Sequence, residues 1–254
     1  MTKFHFIFDK TKKSQKVKEI FLKKFKNYSA KKSDYILVGG GDGFMLNCLK
    51  KYYKFNKPFY GINCGSFGFL MNKYFTKNLT QKINKAKKIV INPLQLLAID
   101  KKNIKKKLIA INEVSLFRQS RQTASLEVSV GKKIIIKKLI GDGILISTPA
   151  GSTAYNMSVN GPILSLNSGK LAITPISPFR PRRWPGRVIS NKLKIYVKNL
   201  DTLKRPVASV ADNIEIRNIK LLRIYINKKI KLTLLYDKNR SLIKKIKNEQ
   251  LKKN

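Results

Sequence analysis

The periodicity of this chain changes at Asn92-Pro93, and that change limits its architecture more than any other feature. Before it, strand-like apolar runs alternate with helical spacing. Residues 4–8 form a short apolar run, and Val17, Ile20, Phe21 and Phe25 then recur at the spacing of an amphipathic helix over 11–27. Residues 35–38 read as a buried strand, 44–53 as a helix, 59–62 as a strand and 76–87 as another helix. Such alternation predicts a parallel, doubly wound sheet. After Pro93 the chain reads as short strands divided by turns, at 94–99, 108–117, 124–130, 134–140, 144–147, 171–176, 187–197, 205–210, 213–217 and 221–226. That half predicts a β-sandwich. The expected organisation is an α/β domain over 1–92, a sandwich over 93–236 and a basic tail over 237–254. Leu242, Ile243 and Ile246 are the apolar anchors by which the tail would dock on the first domain.

A chain of 254 residues with 43% hydrophobic content can bury a real core, which excludes a disordered chain. No apolar run approaches the ~18 residues of a membrane span, and the start of the chain lacks a signal-peptide layout. A cytoplasmic protein is the expectation. Cys48 and Cys64 have no metal-type spacing and read as reduced thiols. The lone histidine, His5, argues against a His-based triad or a His-rich zinc site. The net charge of +42 admits a polyanion partner. Its lysines, however, are spread evenly and sit in turns such as Lys105-Lys106-Lys107, without the interleaved aromatics of a single-strand groove. Compositional drift is the simpler reading, and nucleic acid is not the expected partner.

Three small-residue segments can carry chemistry. Gly40-Gly41-Asp42-Gly43 lies between a strand and a helix. Glycines there allow tight or positive-φ backbone and let a phosphate approach backbone amides at a helix start. A carboxylate beside a phosphate is unfavourable unless it holds a metal or accepts a proton, and Asp42 can do the latter for an alcohol under phosphorylation. The same string also fits an ordinary strand-to-helix turn. Asn63-Cys64-Gly65-Ser66-Phe67-Gly68 ends the next strand, so both loops fall at one sheet edge, and Asn63 offers an orienting amide. The third segment runs from Gly141-Asp142-Gly143 through Ser147-Thr148-Pro149-Ala150-Gly151-Ser152-Thr153-Ala154-Tyr155-Asn156-Met157-Ser158. Its dense hydroxyls want partners, and a ligand rich in hydroxyls and amides would supply them. Gly151-Ser152 would open a short helix facing a diphosphate, with Tyr155 offering a ring face or its OH. Asn112-Glu113 ends an apolar run. Arg180-Pro181-Arg182-Arg183-Trp184-Pro185 is stiff and cationic, and reads as an interface or structural cap ahead of a phosphate clamp.

Taken in order, these segments resemble the NAD kinase family from the glycine loop to about Asp212, and Ser147-Thr148-Pro149-x-Gly151-Ser152-Thr153-Ala154-Tyr155 is the most specific part. The resemblance implies a Rossmann-like or phosphofructokinase-like α/β domain followed by a β-sandwich that binds NAD. It implies transfer of the ATP γ-phosphate to the 2′-hydroxyl of the NAD adenosine ribose. Asp42 is then the proton acceptor, with Gly43 and Asn63 beside it. Asn112 and Glu113 contact the ribose or nicotinamide side. Asp142 binds NAD, often across a subunit boundary. Ala150 and Thr153, Ala154, Tyr155, Asn156, Met157 and Ser158 line the adenosine region. A divalent ion, Mg²⁺, accompanies ATP, no protein side chain is assigned to it, and the assembly is a homodimer or homotetramer. Phe44 and Ala150 stand where many relatives carry Thr, Asn160 replaces a small residue, and Asp212-Asn213 stands where Asp-Gly-Gln is common. The alternatives are a diacylglycerol-type lipid kinase, which shares a similar glycine loop, and a basic nucleic-acid-binding protein.

Overall fold

The computed structural model describes residues 2–65, 68–238 and 242–251. Ser66 and Phe67 of the second glycine loop and the Leu242 side chain lie outside them. The elements in order are β1 (Phe4–Phe8), α1 (Lys12–Leu22), β2 (Tyr35–Gly40), α2 (Asp42–Tyr52), β3 (Phe59–Asn63), α3 (Leu79–Asn84) and β4 (Lys87–Ile91). Twelve strands follow: β5 (Leu94–Asp100), β6 (Lys105–Ala110), β7 (Glu113–Arg118), β8 (Ala124–Val130), β9 (Lys133–Gly141), β10 (Gly143–Ser147), β11 (Lys170–Ile176), β12 (Arg187–Ser190), β13 (Ile195–Asn199), β14 (Val207–Ala211), β15 (Ile214–Ile216) and β16 (Ile219–Ile226). The one-turn helix α4 (Tyr155–Ser158) sits between β10 and β11, and β17 (Leu232–Tyr236) and α5 (Leu242–Leu251) close the chain.

The chain divides into two compact units, one of residues 1–92 with 229–248 and one centred on 93–228. The first holds a five-stranded sheet in the order β1-β2-β3-β17-β4. β1, β2, β3 and β17 are parallel, and β4 runs antiparallel at the edge. β2 is buried almost throughout, as a central parallel strand covered on both faces must be. Phe4, Phe6, Val17, Phe21, Tyr60, Ile62, Leu79, Ile83 and Leu235 form the core of this unit. Val17 and Phe21 are one helical turn apart, so α1 lays a single apolar face on the sheet. Its start is set by Thr11, whose hydroxyl accepts the Ser14 N–H.

The second unit packs two six-stranded antiparallel sheets, β12-β11-β10-β7-β14-β15 and β6-β5-β16-β13-β8-β9. Alternate residues of each strand point inward: Leu94, Leu96 and Ala98 in β5, Val114 and Leu116 in β7, Ile144 and Ile146 in β10, Leu222 and Ile224 in β16. Each fully buried Leu or Ile stabilises the fold by roughly 1.5–3 kcal/mol relative to exposure.

The organisation read from the sequence needs correction at four places. β17 belongs to the first sheet, between β3 and β4, so the boundary read at 236 falls instead after Lys228. The helix read over 76–87 is only α3, because Lys87–Ile91 extends as β4 to pair with β17. The runs 108–117 and 187–197 are each two strands broken by a turn. Of the tail anchors described, Ile246 is buried and Ile243 exposed.

Candidate active site

β2 runs into Gly40, Gly41 caps α2 and Asp42 begins it. An acidic side chain in a first helical turn is favoured by the helix dipole. Gly41 and Gly43 have no positive φ, so of the two roles the sequence leaves open to these glycines, left-handed backbone is not the one used. A Cβ added at either would meet nothing within 4 Å, and the loop backbone is therefore approachable. The Asp42 carboxylate accepts the N–H of Phe69 at 2.6 Å and of Leu70 at 3.0 Å. Burial raises its pKa above the ordinary carboxylate value, and this outweighs those two N–H groups and the Lys245 charge, which act the other way. A raised pKa makes it a stronger base than a solvated aspartate. Asn63 pairs in register with Gly40 across β2 and β3 and turns its amide oxygen to the Gly65 N–H at 2.9 Å. Asp42, Gly43 and Asn63 thus share the carboxyl edge of the parallel sheet, where open α/β sheets bind ligands.

The second unit gathers the other candidates. Asp212, held in the left-handed region at φ 54°, accepts the N–H groups of Ile111, Asn112 and Glu113 at distances from 2.8 to 3.3 Å. Its own N–H returns to the Glu113 carbonyl. One carboxylate therefore fixes the Asn112-Glu113 backbone. The sequence marks Asp212 only as the end of a resemblance, because its partners lie about a hundred residues upstream. The Glu113 side chain is buried, and its Oε2 has no hydrogen-bond partner among the described residues. Burial, and then the neighbouring Asp212 charge, push its pKa up to about 8.

This has a measurable consequence for stability. A carboxyl whose pKa rises on folding stabilises the native state fully below its unfolded pKa, and loses that contribution as pH rises toward the folded value. Stability of the wild type should therefore fall between about pH 4.5 and pH 8 on account of Glu113. Glu113→Gln should flatten this slope in thermal melts taken across that range. Parallel pH dependence in the two proteins would mean that Glu113 does not titrate as described.

Asp142 forms a half-exposed ion pair with Arg118, Oδ1 to Nε at 2.5 Å. The Tyr155 ring is 36% exposed and lies 5.8 Å from that of Phe117. Burial, and then the charges of Asp142 and Glu113, raise its phenol pKa. Asp142 and Glu113 are thus both within electrostatic reach of Tyr155. Ala150 and Thr153 are buried, Ala154 and Met157 half-buried, and Ser158 exposed.

Three expectations for this segment do not hold. The hydroxyls of Ser147, Thr148 and Ser152 do not await a ligand: they donate to the backbone carbonyls of Thr148, Ile111 and Pro149 at 2.7–2.9 Å. No diphosphate-binding helix starts at Gly151, since α4 has four residues. The amides of Gly151, Ser152 and Ala154 already bond to Thr148 Oγ1, Pro149 and Gly151. The Asn156 side chain is fully buried, donating to Pro162 O at 2.9 Å and accepting from Thr174 Oγ1 at 2.7 Å. It ties α4 to β11, and the whole residue is closed to solvent, its carbonyl accepting the Gly161 N–H at 2.8 Å. In the arginine segment, Arg180 and Arg182 lie over the Phe179 ring and Trp184 packs on the sandwich core. Arg183 and Trp184 line a cleft of about 440 Å³ with Ser158 and Asn160.

The chain is 43% identical to an NAD kinase of Zymomonas mobilis over 244 residues, covering 95% of each protein. It belongs to the NAD kinase family. Residues 111–230 match the family model described as the ATP-NAD kinase C-terminal domain. An NAD kinase of Rhizorhabdus wittichii is 45% identical over 86% of each chain. Among solved structures, the fold is similar to a yeast NADH kinase complexed with NADH, at TM-score 0.83 and 19% identity, covering 100% of this chain and 88% of that one. It is also similar to an NAD kinase from Archaeoglobus fulgidus in complex with ATP, at TM-score 0.76 and 19% identity, covering 98% of both. The match to the family model takes in Asn112, Glu113, Asp142 and the Thr153–Ser158 stretch, while the near-full-length alignments extend over most of the chain.

Proposed function

We infer that this chain transfers the γ-phosphate of ATP to the 2′-hydroxyl of the adenosine ribose of NAD, giving NADP and ADP. The observation that carries the activity is near-full-length similarity to NAD kinases at above 40% identity. For the chemistry, the 2′-hydroxyl proton passes to an Asp42 carboxylate oxygen as the hydroxyl oxygen bonds to the γ-phosphorus. The bond from that phosphorus to the β–γ bridging oxygen breaks, and its electron pair leaves with ADP. The proton then returns to water. Support for Asp42 in this role is a carboxylate on an open glycine loop whose basicity is raised by burial. Such a base contributes about 10²–10⁴ in rate.

The proposed division of the remaining residues follows the family resemblance. Gly43 and Asn63 flank the base, and Asn112, Glu113 and Asp142 contact NAD. Ala150 and Thr153–Ser158 line the adenosine, with Asn156 holding that stretch from beneath through Pro162 and Thr174. Among the described residues no group of three or more His, Cys, Asp or Glu side chains could hold a metal ion. Mg²⁺ characteristically keeps several waters and binds through substrate phosphates, so the ion in this reading would be held by the ATP phosphates, where it would neutralise charge on them. A homodimer or homotetramer acting in the cytoplasm completes the reading. No helix among the described residues is long and apolar enough to cross a membrane, and the comparisons lend nothing to the lipid-kinase or nucleic-acid alternatives.

The test is direct. Purified protein with ATP, Mg²⁺ and NAD should generate NADP, scored by an NADP-specific dehydrogenase. No NADP formation, together with DNA binding that collapses on adding salt or with phosphorylation of diacylglycerol, would replace this reading.

A further inference from the structure

The C-terminal helix reaches the same loop that holds Asp42. Lys245 Nζ, on α5, donates to the carbonyl oxygens of Gly68 at 2.8 Å, Phe69 at 2.9 Å and Met71 at 2.6 Å. A lysine ammonium has three N–H donors, so these contacts use them all. The N–H groups of Phe69 and Leu70, in the same short stretch, donate to the Asp42 carboxylate. The peptide units of 68–71 are therefore clamped from two sides, their carbonyls toward a cation and their amides toward an anion. Fully buried Tyr236, at the end of β17, backs the arrangement. Its OH donates to Phe69 O at 3.4 Å, and its ring centre lies 5.5 Å from Lys245 Nζ. Ile246, the next residue of α5, is 1% exposed, so the helix is seated by packing as well as by charge.

We propose that Lys245 is a positioning residue for the proton acceptor: it fixes the 68–71 backbone that orients the Asp42 carboxylate. Among the described residues, the titratable groups facing Asp42 are the Lys245 ammonium from α5 and the Tyr236 phenol from β17. Only the first is cationic. Burial alone would favour the protonated, catalytically idle form of Asp42, and Lys245 opposes it. The tail is thereby part of the catalytic unit, although it lies outside the residues matched by the family model. The proposal rests on Asp42 acting as the proton acceptor.

The experiment uses full-length protein, with Lys245→Met, Lys245→Gln, Lys245→Arg and Asp42→Asn compared with wild type. It reads kcat, both KM values and the pH profile of kcat through the range where carboxylates titrate. Lys245→Met should lower kcat by roughly tenfold or more through misplacement of the base, with the KM for NAD little changed. Its acid limb should move to higher pH, because losing the cation favours protonated Asp42. Lys245→Gln keeps a donor without the charge, and should shift the limb likewise while losing less kcat. Lys245→Arg keeps the charge and should leave the limb at the wild-type pH. Wild-type kcat and an unmoved limb in Lys245→Met would overturn the proposal. Equal losses in the Met and Arg variants with no limb shift, alongside a lower melting temperature, would reduce Lys245 to a docking contact. Full turnover in Asp42→Asn would instead remove the acceptor reading itself.

Discussion

Asp42→Asn should still bind NAD but lose at least about 10² of turnover. In the structure the Asp42 carboxylate already has a structural occupation, since both its oxygens accept backbone N–H groups from the 69–70 stretch. An asparagine keeps one acceptor oxygen and turns an NH₂ toward the other N–H, so the variant should also lose stability, by about 1–3 kcal/mol for a buried donor left unsatisfied. For a chain of this size that is a fall in melting temperature of a few degrees per kcal/mol at most. A protein destabilised by that amount remains folded at assay temperature and would show near-normal kcat if Asp42 were only an anchor. A hundredfold loss of kcat with modest thermal destabilisation and an unchanged NAD dissociation constant assigns the proton role. The same melt with undiminished kcat assigns the anchor alone. The pH profile adds a second check. Because burial raises the Asp42 pKa, wild-type turnover should fall on the acid side at a higher pH than a solvated aspartate would give, and the residual activity of the variant should lack that limb.

How much of this was legible in the sequence depends on how far each residue's partners lie along the chain. The α/β half announced itself because β2, Gly41 and α2 are contiguous, and strand, glycine and helix patterns follow one another within twenty residues. The sandwich was legible because short apolar runs recur between turns and strands such as β7 and β8 alternate apolar and polar positions, a signal local to each strand. β17 falls to the wrong domain for the opposite reason: its partners β3 and β4 lie far upstream, and nothing in Leu232–Tyr236 itself distinguishes an interior strand of the first sheet from a sandwich strand. β4 was lost inside a helix because its lysines mimic a solvated helical face. Asp42 stood out as an acid among glycines, but Asp212 and Lys245 did not. Their hydrogen bonds span 101 and up to 177 residues, beyond any local pattern. The hydroxyl-rich string reads from the sequence as awaiting a ligand, whereas Ser147, Thr148 and Ser152 donate to backbone carbonyls. Ser147 at the end of β10, and Thr148 and Ser152 in the turn beyond it, satisfy backbone carbonyls where the ladder runs out, a demand that hydroxyl density alone cannot distinguish from a ligand's.

That turn carries the second large prediction. Gly151→Ala should damage both the sandwich and NAD recognition. A Cβ at residue 151 would lie 2.2 Å from the Asn112 carbonyl oxygen, 2.4 Å from its carbon and 2.5 Å from its Cα. All three are backbone atoms, so no rotamer change relieves the clash, and the Asn112 peptide must retreat by about an ångström to reach ordinary contact. It is not free to do so. Its oxygen accepts the Thr148 N–H at 2.9 Å, and its N–H is held by Asp212 at 2.8 Å. The substitution should therefore cost about 1–3 kcal/mol or more, as overpacking does in a rigid site. Any displacement that does occur carries the Asn112-Glu113 pair with it. On the order of an ångström of misplacement can cost about 10² in a recognition step, so the KM for NAD should rise far more than that for ATP. The decisive comparison is between the two Michaelis constants in a variant shown by thermal melting to be folded. If the NAD constant stays at the wild-type value while stability falls, the contact between residues 151 and 112 serves packing only, and Asn112 leaves the list of NAD ligands.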